Sequence, residues 1–186
     1  LERVLDSSGD LPRIEVRYPD MSHIVYTTGT TGFPKGLVVR HPARMTSPTE
    51  ASLDYRSFVS PGERVYMCYP LHTWFGEFPA YFVRGLVVAF SREKRYDRFW
   101  DDTRRYNAVA VRYFADLIPA LLNEPEREND GDNPVRFCWG VMAPRDRATV
   151  ERFEQRFNVK VYETYGTVEG GMITLNRARK EGSIGK

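Results

Sequence analysis

A loop rich in glycine and threonine constrains this chain more than any other stretch of it. Residues 26–36 read Tyr-Thr-Thr-Gly-Thr-Thr-Gly-Phe-Pro-Lys-Gly, which places four threonines, three glycines and one lysine in eleven positions. Apolar triplets at 24–26 and 37–39 flank the loop and predict strand, tight loop and strand. Glycines let backbone N–H groups approach an anion, hydroxyls add donors, and Lys35 adds a positive charge. The loop therefore predicts a phosphate-binding site.

Two other interpretations of this loop are weaker. A solvated hairpin turn needs one or two glycines, and it does not explain so many regularly placed donors beside a lysine that follows Pro34. The common phosphate loop of kinases and other nucleotidases requires Ser or Thr directly after the lysine and opens a helix. Here Gly36 follows Lys35 and leads into a strand-like run, which disfavours that class.

The rest of the chain alternates between strand and helix patterns. Strands are expected at 21–27, 37–39, 64–69, 86–90, 109–114, up to Gly140, and at 159–162, and helices at 42–59, 77–84, 96–106, 115–122 and 145–157. A charged, proline-bounded segment at 124–134 predicts an exposed loop. This alternation predicts an α/β fold, a layered sheet flanked by helices. Ligands bind such sheets at the carboxyl ends of strands, where residues 140–144 lie.

The amino-acid composition limits the classes of partner that this chain could bind. With 27 basic and 25 acidic residues, the net charge of +2 gives no argument for nucleic acid. No apolar run approaches the roughly 18 residues of a membrane span, and we expect no transmembrane segment. The two cysteines, Cys68 and Cys138, lie in apolar, strand-like runs. They are typical of reduced core thiols, and we expect a cytoplasmic protein, with peripheral membrane association left open.

The loop resembles the signature of the acyl-adenylate-forming enzymes, which include acyl-CoA synthetases, firefly-type luciferases and the adenylation domains of peptide synthetases. Every position of that signature is matched. A second family pattern, Tyr-Gly-any-Thr-Glu, is matched by Tyr165, Gly166 and Glu169, while Val168 replaces the threonine. The resemblance implies that residues 21–186 are part of the large N-terminal domain of an acyl-CoA synthetase-like fold. Residues 1–20 would be a connector, and the mobile C-terminal domain would be absent.

Several longer segments resemble one branch of that family. They are 96–100 with 105–106, 121–125, 133–136 and 152–157, and they look like the fatty-acid-transport and very-long-chain acyl-CoA synthetases. The carnitine/crotonobetaine-CoA ligases are the near neighbour. The implied reaction is the ATP-dependent activation of a carboxylic acid to acyl-AMP and then acyl-CoA, with Mg²⁺ and with coenzyme A as co-substrate. The alternatives are a ligase for a carnitine-like or other small acid, and a nucleotide- or acyl-adenylate-binding module without catalysis, which the loss of a hydroxyl at Val168 favours.

The resemblance also implies site residues. Catalytic roles fall to Lys35, His72 and Glu169, and Mg²⁺ would be held by Thr27 and Glu169. The Tyr165 ring would stack on adenine. Without the family, His72 and Glu169 would be interpreted as a structural histidine and a solvated carboxylate. The expected nucleotide contacts are Thr27, Thr28, Gly29, Thr30, Thr31, Gly32 and Lys35 in the loop, Gly140, Val141, Met142, Ala143 and Pro144 in the turn, and Glu163, Thr164, Tyr165, Gly166 and Thr167.

Overall fold

The computed structural model describes residues 13–17, 19–27, 32–40, 58–69, 81–82, 84–144, 146–167 and 171–186. Within these ranges the bounds of eight strands and three helices are defined, and residues 81–82 are also helical. The strands are β1 (Met21–Thr27), β2 (Lys35–Arg40), β3 (Arg64–Met67), β4 (Val87–Phe90), β5 (Ala108–Tyr113), β6 (Phe137–Gly140), β7 (Lys160–Thr167) and β8 (Gly171–Leu175). The helices are α1 (Phe99–Arg105), α2 (Leu117–Asn123) and α3 (Arg147–Phe157). The helices predicted at 42–59 and 77–84 lie largely outside the described residues.

Six of the strands form one sheet in the order β4-β3-β5-β6-β7-β8. The first five run parallel, and β8 is antiparallel to β7. Helices α1, α2 and α3 provide the connections from β4 to β5, from β5 to β6 and from β6 to β7. Parallel strands need such crossovers, which place helices against the sheet. The prediction of a layered α/β sheet flanked by helices is therefore confirmed.

Strands β1 and β2 form a separate two-stranded antiparallel ribbon. Thr27 is the register partner of Lys35, so the phosphate-type loop closes the ribbon as a hairpin. The two strands predicted on either side of the loop are confirmed, and residues 28–31 between them lie outside the described part of the chain. Apolar side chains at the ribbon remain open to solvent, since Tyr26 is 70% exposed and Phe33 93%.

Aromatic side chains join the helices to the sheet in the core. Trp100 of α1 stacks on Phe157 of α3 at a centroid distance of 4.5 Å, and Phe99 meets Tyr66 of β3 edge to face at 5.3 Å. Such contacts add to the free energy that burial of the rings supplies. Cys68 and Cys138 are buried and not joined in a disulfide, as predicted.

Local sequence explains the ends of α3. Asp146 precedes the helix, and its carboxylate accepts hydrogen bonds from the backbone N–H groups of Ala148 at 3.1 Å and Thr149 at 3.3 Å. These are donors that a helix leaves unsatisfied at its first turn. Asn158 ends the helix in the left-handed conformation, which asparagine tolerates better than most residues. No helix in the described part of the chain is long and apolar enough to span a bilayer.

Two details differ from the expectations. β7 does not end at Tyr162 but continues through Tyr165 and Gly166 to Thr167, and β8 then pairs with it. In the loop at 124–134, the prediction of exposure is wrong for Asp130, which is buried. The reason is an ion pair that Asp130 forms with Arg156 of α3. A charged side chain can be buried when an opposite charge is buried beside it.

Candidate functional site

A cavity of about 750 Å³ opens at the carboxyl ends of β6 and β7. Gly140, which ends β6, lies beside Glu163 in the parallel register of the two strands. The predicted turn and the predicted Tyr-Gly segment are thereby brought together. The residues that line the cavity are Val141, Met142, Ala143, Pro144, Arg147, Val150, Val161, Glu163, Thr164, Tyr165, Gly166, Asn176, Arg179, Lys180, Glu181, Gly182, Ser183 and Ile184.

Gly140 and Thr164 fix the turn that forms one wall. A Cβ atom on Gly140 would lie 2.0 Å from the carbonyl oxygen of Tyr113, so only glycine fits this contact with β5. The hydroxyl of Thr164, which is buried, donates to the carbonyl oxygen of Gly140 at 3.0 Å. Among the predicted nucleotide contacts, Gly140 and Thr164 thus hold the wall in place.

Two side chains of the predicted site remain accessible at the cavity. Met142 is 64% exposed and Tyr165 45% exposed. Met142 has a φ angle of 57°, in the left-handed region of the backbone that residues other than glycine and asparagine rarely occupy. A phenol ring and a thioether are therefore both available to an apolar or planar ligand.

Glu163 carries a carboxyl group at the same cavity. Burial raises the pKa of Glu163 above its ordinary value of 4.5, because a charge in a poorly solvated place is disfavoured. A hydrogen bond from the backbone N–H of Ala143 opposes this shift in the pKa without cancelling it. The carboxyl group is thus held against the turn after β6, where it can accept hydrogen bonds from a ligand.

The second wall comes from residues 176–184, which the sequence analysis did not assign to the site. Asn176, which is buried, organises it: its amide nitrogen donates to the carbonyl oxygens of Lys180 at 2.9 Å and Ser183 at 2.8 Å. Its amide oxygen accepts from the backbone N–H of Lys180 at 2.9 Å. The signal in the sequence is the pair of glycines at 182 and 185, which predicts a turn but not its place.

Ion pairs connect this wall to α3. The guanidinium of Arg179 contacts both carboxylate oxygens of Glu154, and Glu154 also accepts from the backbone N–H of Val161 at 2.7 Å. Arg147, in the first turn of α3, pairs with Glu151 at 2.8 Å. Arg147, Arg179 and Lys180 all line the cavity, and Glu151 and Glu154 neutralise the two arginines.

The hairpin loop is a separate part of the predicted site. Thr27 and Lys35 lie on the β1–β2 ribbon and Gly32 precedes β2, and none of the three is among the residues that line the cavity. The hydroxyl of Thr27 reaches the carbonyl oxygen of Lys35 only at 3.5 Å, so it remains available to another partner. Thr28, Gly29, Thr30, Thr31, His72 and Glu169 lie outside the described residues. That Lys35 and Glu169 act together in one site therefore stays a prediction.

A second polar cluster lies at the carboxyl ends of β3, β4 and β5. Asp116 accepts hydrogen bonds from Tyr96 at 2.6 Å and Tyr69 at 3.1 Å, and it forms an ion pair with Lys94. The hydrogen bond to Asp116 raises the pKa of Lys94, so the lysine stays charged. Since each charge in the cluster has a partner, its arrangement fits a structural brace between three strand ends.

Known proteins resemble this chain in both sequence and structure. The profile of the AMP-binding enzyme family matches residues 5–186. Long-chain fatty acid transport protein 2 of Rattus norvegicus is 31% identical over 179 residues, which are 94% of this chain and 28% of the relative. Long-chain fatty acid transport protein 1 of Homo sapiens is 32% identical over 171 residues, with 89% and 26% covered. The chain thus spans about a quarter of the length of these curated relatives.

Solved structures agree on the fold. The N-terminal domain of FACL13 from Mycobacterium tuberculosis superposes with a TM-score of 0.82 at 23% identity, over 100% of this chain and 48% of that one. A Mycobacterium tuberculosis fatty acyl CoA synthetase gives a TM-score of 0.81 at 22% identity, over 100% and 37%. One conclusion follows from the profile match over almost the whole sequence, and it agrees with the strand order and with the cavity at the carboxyl ends of β6 and β7. The chain belongs to the AMP-binding enzyme family.

Proposed function

We propose that the protein containing this chain is an AMP-forming acyl-CoA synthetase that activates a carboxylic acid, with a fatty acid as the first candidate. One observation carries the proposal: the turn at 140–144 and the segment at 163–166 form two sides of one cavity at the carboxyl ends of adjacent parallel strands. This is where open α/β sheets bind ligands. The names of the fatty acid transport relatives support the choice of acid.

The chemistry has two steps. A carboxylate oxygen of the acid attacks the α-phosphorus of ATP, and the bond from that phosphorus to the pyrophosphate oxygen breaks, which gives acyl-AMP and pyrophosphate. The sulfur of coenzyme A then attacks the acyl carbonyl carbon, and the bond to the AMP oxygen breaks as the thiol proton is lost. Both steps depend on positioning and charge neutralisation more than on covalent groups of the protein.

In this proposal the cavity holds the adenosine part of ATP. The Tyr165 ring provides a stacking surface, and the partly buried carboxyl of Glu163 provides an acceptor for amino hydrogens of the base. The hairpin loop neutralises the β- and γ-phosphates through its N–H groups, its hydroxyls and Lys35. When bound, Mg²⁺ supplies positive charge to phosphate oxygens. The proposed ligands, Thr27 and Glu169, offer the oxygen atoms that this ion prefers.

A second candidate comes from the Tyr-Gly segment itself. Val168 stands where the family pattern has threonine, and it removes a hydroxyl. A module that binds nucleotide or acyl-adenylate without catalysis would tolerate that loss. A ligase for a carnitine-like or other small acid is the alternative within catalysis.

ATP–pyrophosphate exchange by the full-length protein separates these candidates. We expect incorporation of labelled pyrophosphate into ATP that requires both Mg²⁺ and a carboxylic acid. Release of AMP is then measured with a panel of acids of increasing chain length, with and without coenzyme A. Exchange with fatty acids supports the first candidate, and exchange confined to small acids supports the alternative ligase. Nucleotide binding without exchange for any acid would overturn the enzymatic proposal.

A further inference from the structure

A buried carboxylate on α3 lies behind two sides of the cavity. Glu154 is only 9% exposed, and it is not among the residues that line the cavity. Its carboxylate contacts two residues that do line it. It accepts a hydrogen bond from the backbone N–H of Val161 in β7 at 2.7 Å, and both of its oxygens contact the guanidinium of Arg179 in the second wall. One side chain therefore connects α3 to a strand and to a wall of the cavity.

Hydrogen bonds within the second wall, residues 176–184, make it a unit, so a contact at one residue can determine where the others lie. The side-chain amide of Asn176 donates to carbonyl oxygens of Lys180 and Ser183. The backbone N–H of Arg179 donates in turn to the carbonyl oxygen of Asn176 at 3.1 Å. The middle of this segment is held against α3 by the ion pair of Arg179 with Glu154.

The environment of this ion pair suits it to fix the wall. Only 22% of the Arg179 side chain and 9% of the Glu154 side chain are exposed, and salt screens such a pair much less than a pair on the surface. Arg179 also has a φ angle of 52°, in the left-handed region of the backbone. A conformation of this kind persists where surrounding contacts require it. The pair therefore holds both the side chain and the backbone of the wall at this point.

We propose that Glu154 is a positioning residue for nucleotide binding, which holds the second wall in place through Arg179. The inference rests on the proposed function, because that function puts adenosine in the cavity. A ligand between two walls loses contacts when one wall is displaced, and small displacements weaken a site strongly. Thr27, Gly32 and Lys35, from the loop that would hold the β- and γ-phosphates, do not line this cavity. Release of the wall should therefore affect ATP and spare pyrophosphate.

Two variants and a matched control separate positioning from a general loss of stability. Glu154→Gln keeps an oxygen acceptor for the N–H of Val161 but removes the charge that holds Arg179. The double variant Glu154→Gln/Arg179→Met also removes the cation, so neither charge is left without its partner. Glu151→Gln is the control on the same helix. It breaks the pair with Arg147, which also lines the cavity, but that pair lies within α3 and connects it to no wall.

ATP–pyrophosphate exchange by the full-length protein gives a KM for each substrate and a maximal rate. We expect Glu154→Gln to raise the KM for ATP about two- to thirtyfold, the range for residues that influence a ligand without contacting it. The KM for pyrophosphate and the maximal rate should not change. The double variant should have the same KM for ATP as Glu154→Gln, because both changes interrupt one connection. Glu151→Gln should match the wild type.

Three outcomes would overturn the inference. In the first, Glu154→Gln lowers the maximal rate and leaves the KM for ATP unchanged, which indicates less folded protein and no role in positioning. In the second, Glu151→Gln raises the KM for ATP equally. In the third, the double variant has a higher KM than Glu154→Gln, which indicates that Arg179 itself contacts the nucleotide.

Calorimetric titration of AMP into the same proteins makes this comparison without catalysis. If the wild-type protein binds AMP but shows no exchange, the enzymatic proposal fails, and the AMP affinities of the variants still decide the role of Glu154. A Glu154→Gln variant with weaker AMP binding beside an unchanged Glu151→Gln supports that role, and equal affinities contradict it. If the wild-type protein binds no AMP, the proposed function and this inference fail together.

Discussion

The guanidinium of Arg156 in α3 donates from Nε to a carboxylate oxygen of Asp130 at 2.7 Å, and only 11% and 9% of the two side chains are exposed. The same guanidinium donates to the carbonyl oxygens of Leu122 at 3.1 Å, Glu124 at 2.9 Å and Pro125 at 2.9 Å. One arginine thus donates hydrogen bonds to carbonyl groups at the C-terminal end of α2, and it anchors the charged loop that follows this helix.

Replacement of this arginine should destabilise the fold strongly. Arg156→Lys retains the charge but cannot bond to a carboxylate and three carbonyl groups at once. We expect the free energy of unfolding to fall by about 3 kcal/mol, since the change leaves a buried carboxylate poorly compensated. Denaturant titration measures it. Arg147→Lys, in a more exposed pair on the same helix, is the matched control and should change stability by less than about 0.5 kcal/mol. Equal effects of the two variants would contradict this account.

Gly140→Ala should disturb the wall of the cavity. The added Cβ atom would lie 2.0 Å from a backbone oxygen of Tyr113, so β5 and β6 must separate locally. We expect a loss of stability of about 1–3 kcal/mol, the usual effect of overpacking, and weaker AMP binding. Gly131→Ala is the control, because its nearest atoms lie at 3.7 Å. Wild-type stability in Gly140→Ala would show that the strands tolerate the shift.

Glu163 should make stability depend on pH in an unusual direction. Its pKa is raised by burial above 4.5, so the folded state holds the proton more tightly than the unfolded state does. The contribution of Glu163 to stability is therefore greatest below pH 4.5 and decreases as the pH rises through its folded pKa. Glu163→Gln should be more stable than wild type at pH 7, with a difference that disappears in acid.

Glu63 provides a control of opposite sign. Hydrogen bonds from Arg136, at 2.8 Å to each carboxylate oxygen, lower the pKa of Glu63. Its stabilising contribution is present above 4.5 and is lost as the pH falls through the folded pKa. Glu63→Gln should therefore be less stable than wild type at pH 7. Urea titrations of both variants from pH 4 to 8 test the pair, and parallel curves for the two would refute the assignment.

The parts of the fold that depend on local sequence were predictable. Strand β1 was expected at its observed bounds, and α1 and α3 within a few residues, because hydrophobic period and end signals act over short distances. Strand β8 and the extension of β7 were not predicted. Glycine at 166 and at 171 is typical of a loop, and only pairing between the two strands makes these residues extended.

Parts of the site depend on contacts between residues far apart in the sequence, and sequence patterns do not predict such contacts. The turn at 140–144 and the segment at 163–167 were assigned to one nucleotide site, and the structure brings 141–144 and 163–166 together at one cavity. The wall at 176–184 depends on the buried amide of Asn176, and an asparagine in the sequence gives no sign of burial. Arg179 pairs with Glu154, which lies 25 residues away in the sequence on α3, so the role of Arg179 depends on tertiary packing.

Lys35 should matter for the first chemical step. In the full-length protein, Lys35→Ala should slow ATP–pyrophosphate exchange about 10- to 100-fold, the effect of losing a charge-assisted hydrogen bond to phosphate. Lys160→Ala, at the amino end of β7, is the control and should have the wild-type rate. An unchanged rate in Lys35→Ala would remove the loop from the proposed mechanism.

Glu169→Gln tests the proposed magnesium ligand. The amide has no negative charge, so a higher concentration of Mg²⁺ should be needed for half-maximal exchange, with the rate partly restored at saturation. Exchange is measured over a series of Mg²⁺ concentrations at constant ATP. The same dependence on Mg²⁺ in wild type and variant would exclude this residue as a ligand.

The 186 residues by themselves should not form acyl-CoA. The chain spans about a quarter of the length of its curated relatives, and closure of a mobile domain in enzymes of this kind excludes water from the reaction. We expect weak binding of ATP or acyl-AMP and no thioester when the purified chain is incubated with Mg²⁺, ATP, a fatty acid and coenzyme A. Robust turnover would show that the essential groups lie within these residues.

The two buried cysteines have a practical consequence. Cys68 follows β3 and Cys138 lies in β6, on either side of β5. Burial raises the pKa of Cys68 to about 12 and raises that of Cys138 as well, so neither thiol forms a reactive thiolate near neutral pH while the sheet is closed. Alkylating reagents can therefore modify each thiol only when its strands separate. The rate of alkylation at each position reports the opening of one half of the sheet, and comparison of the two rates shows whether the sheet opens as a unit or from one side.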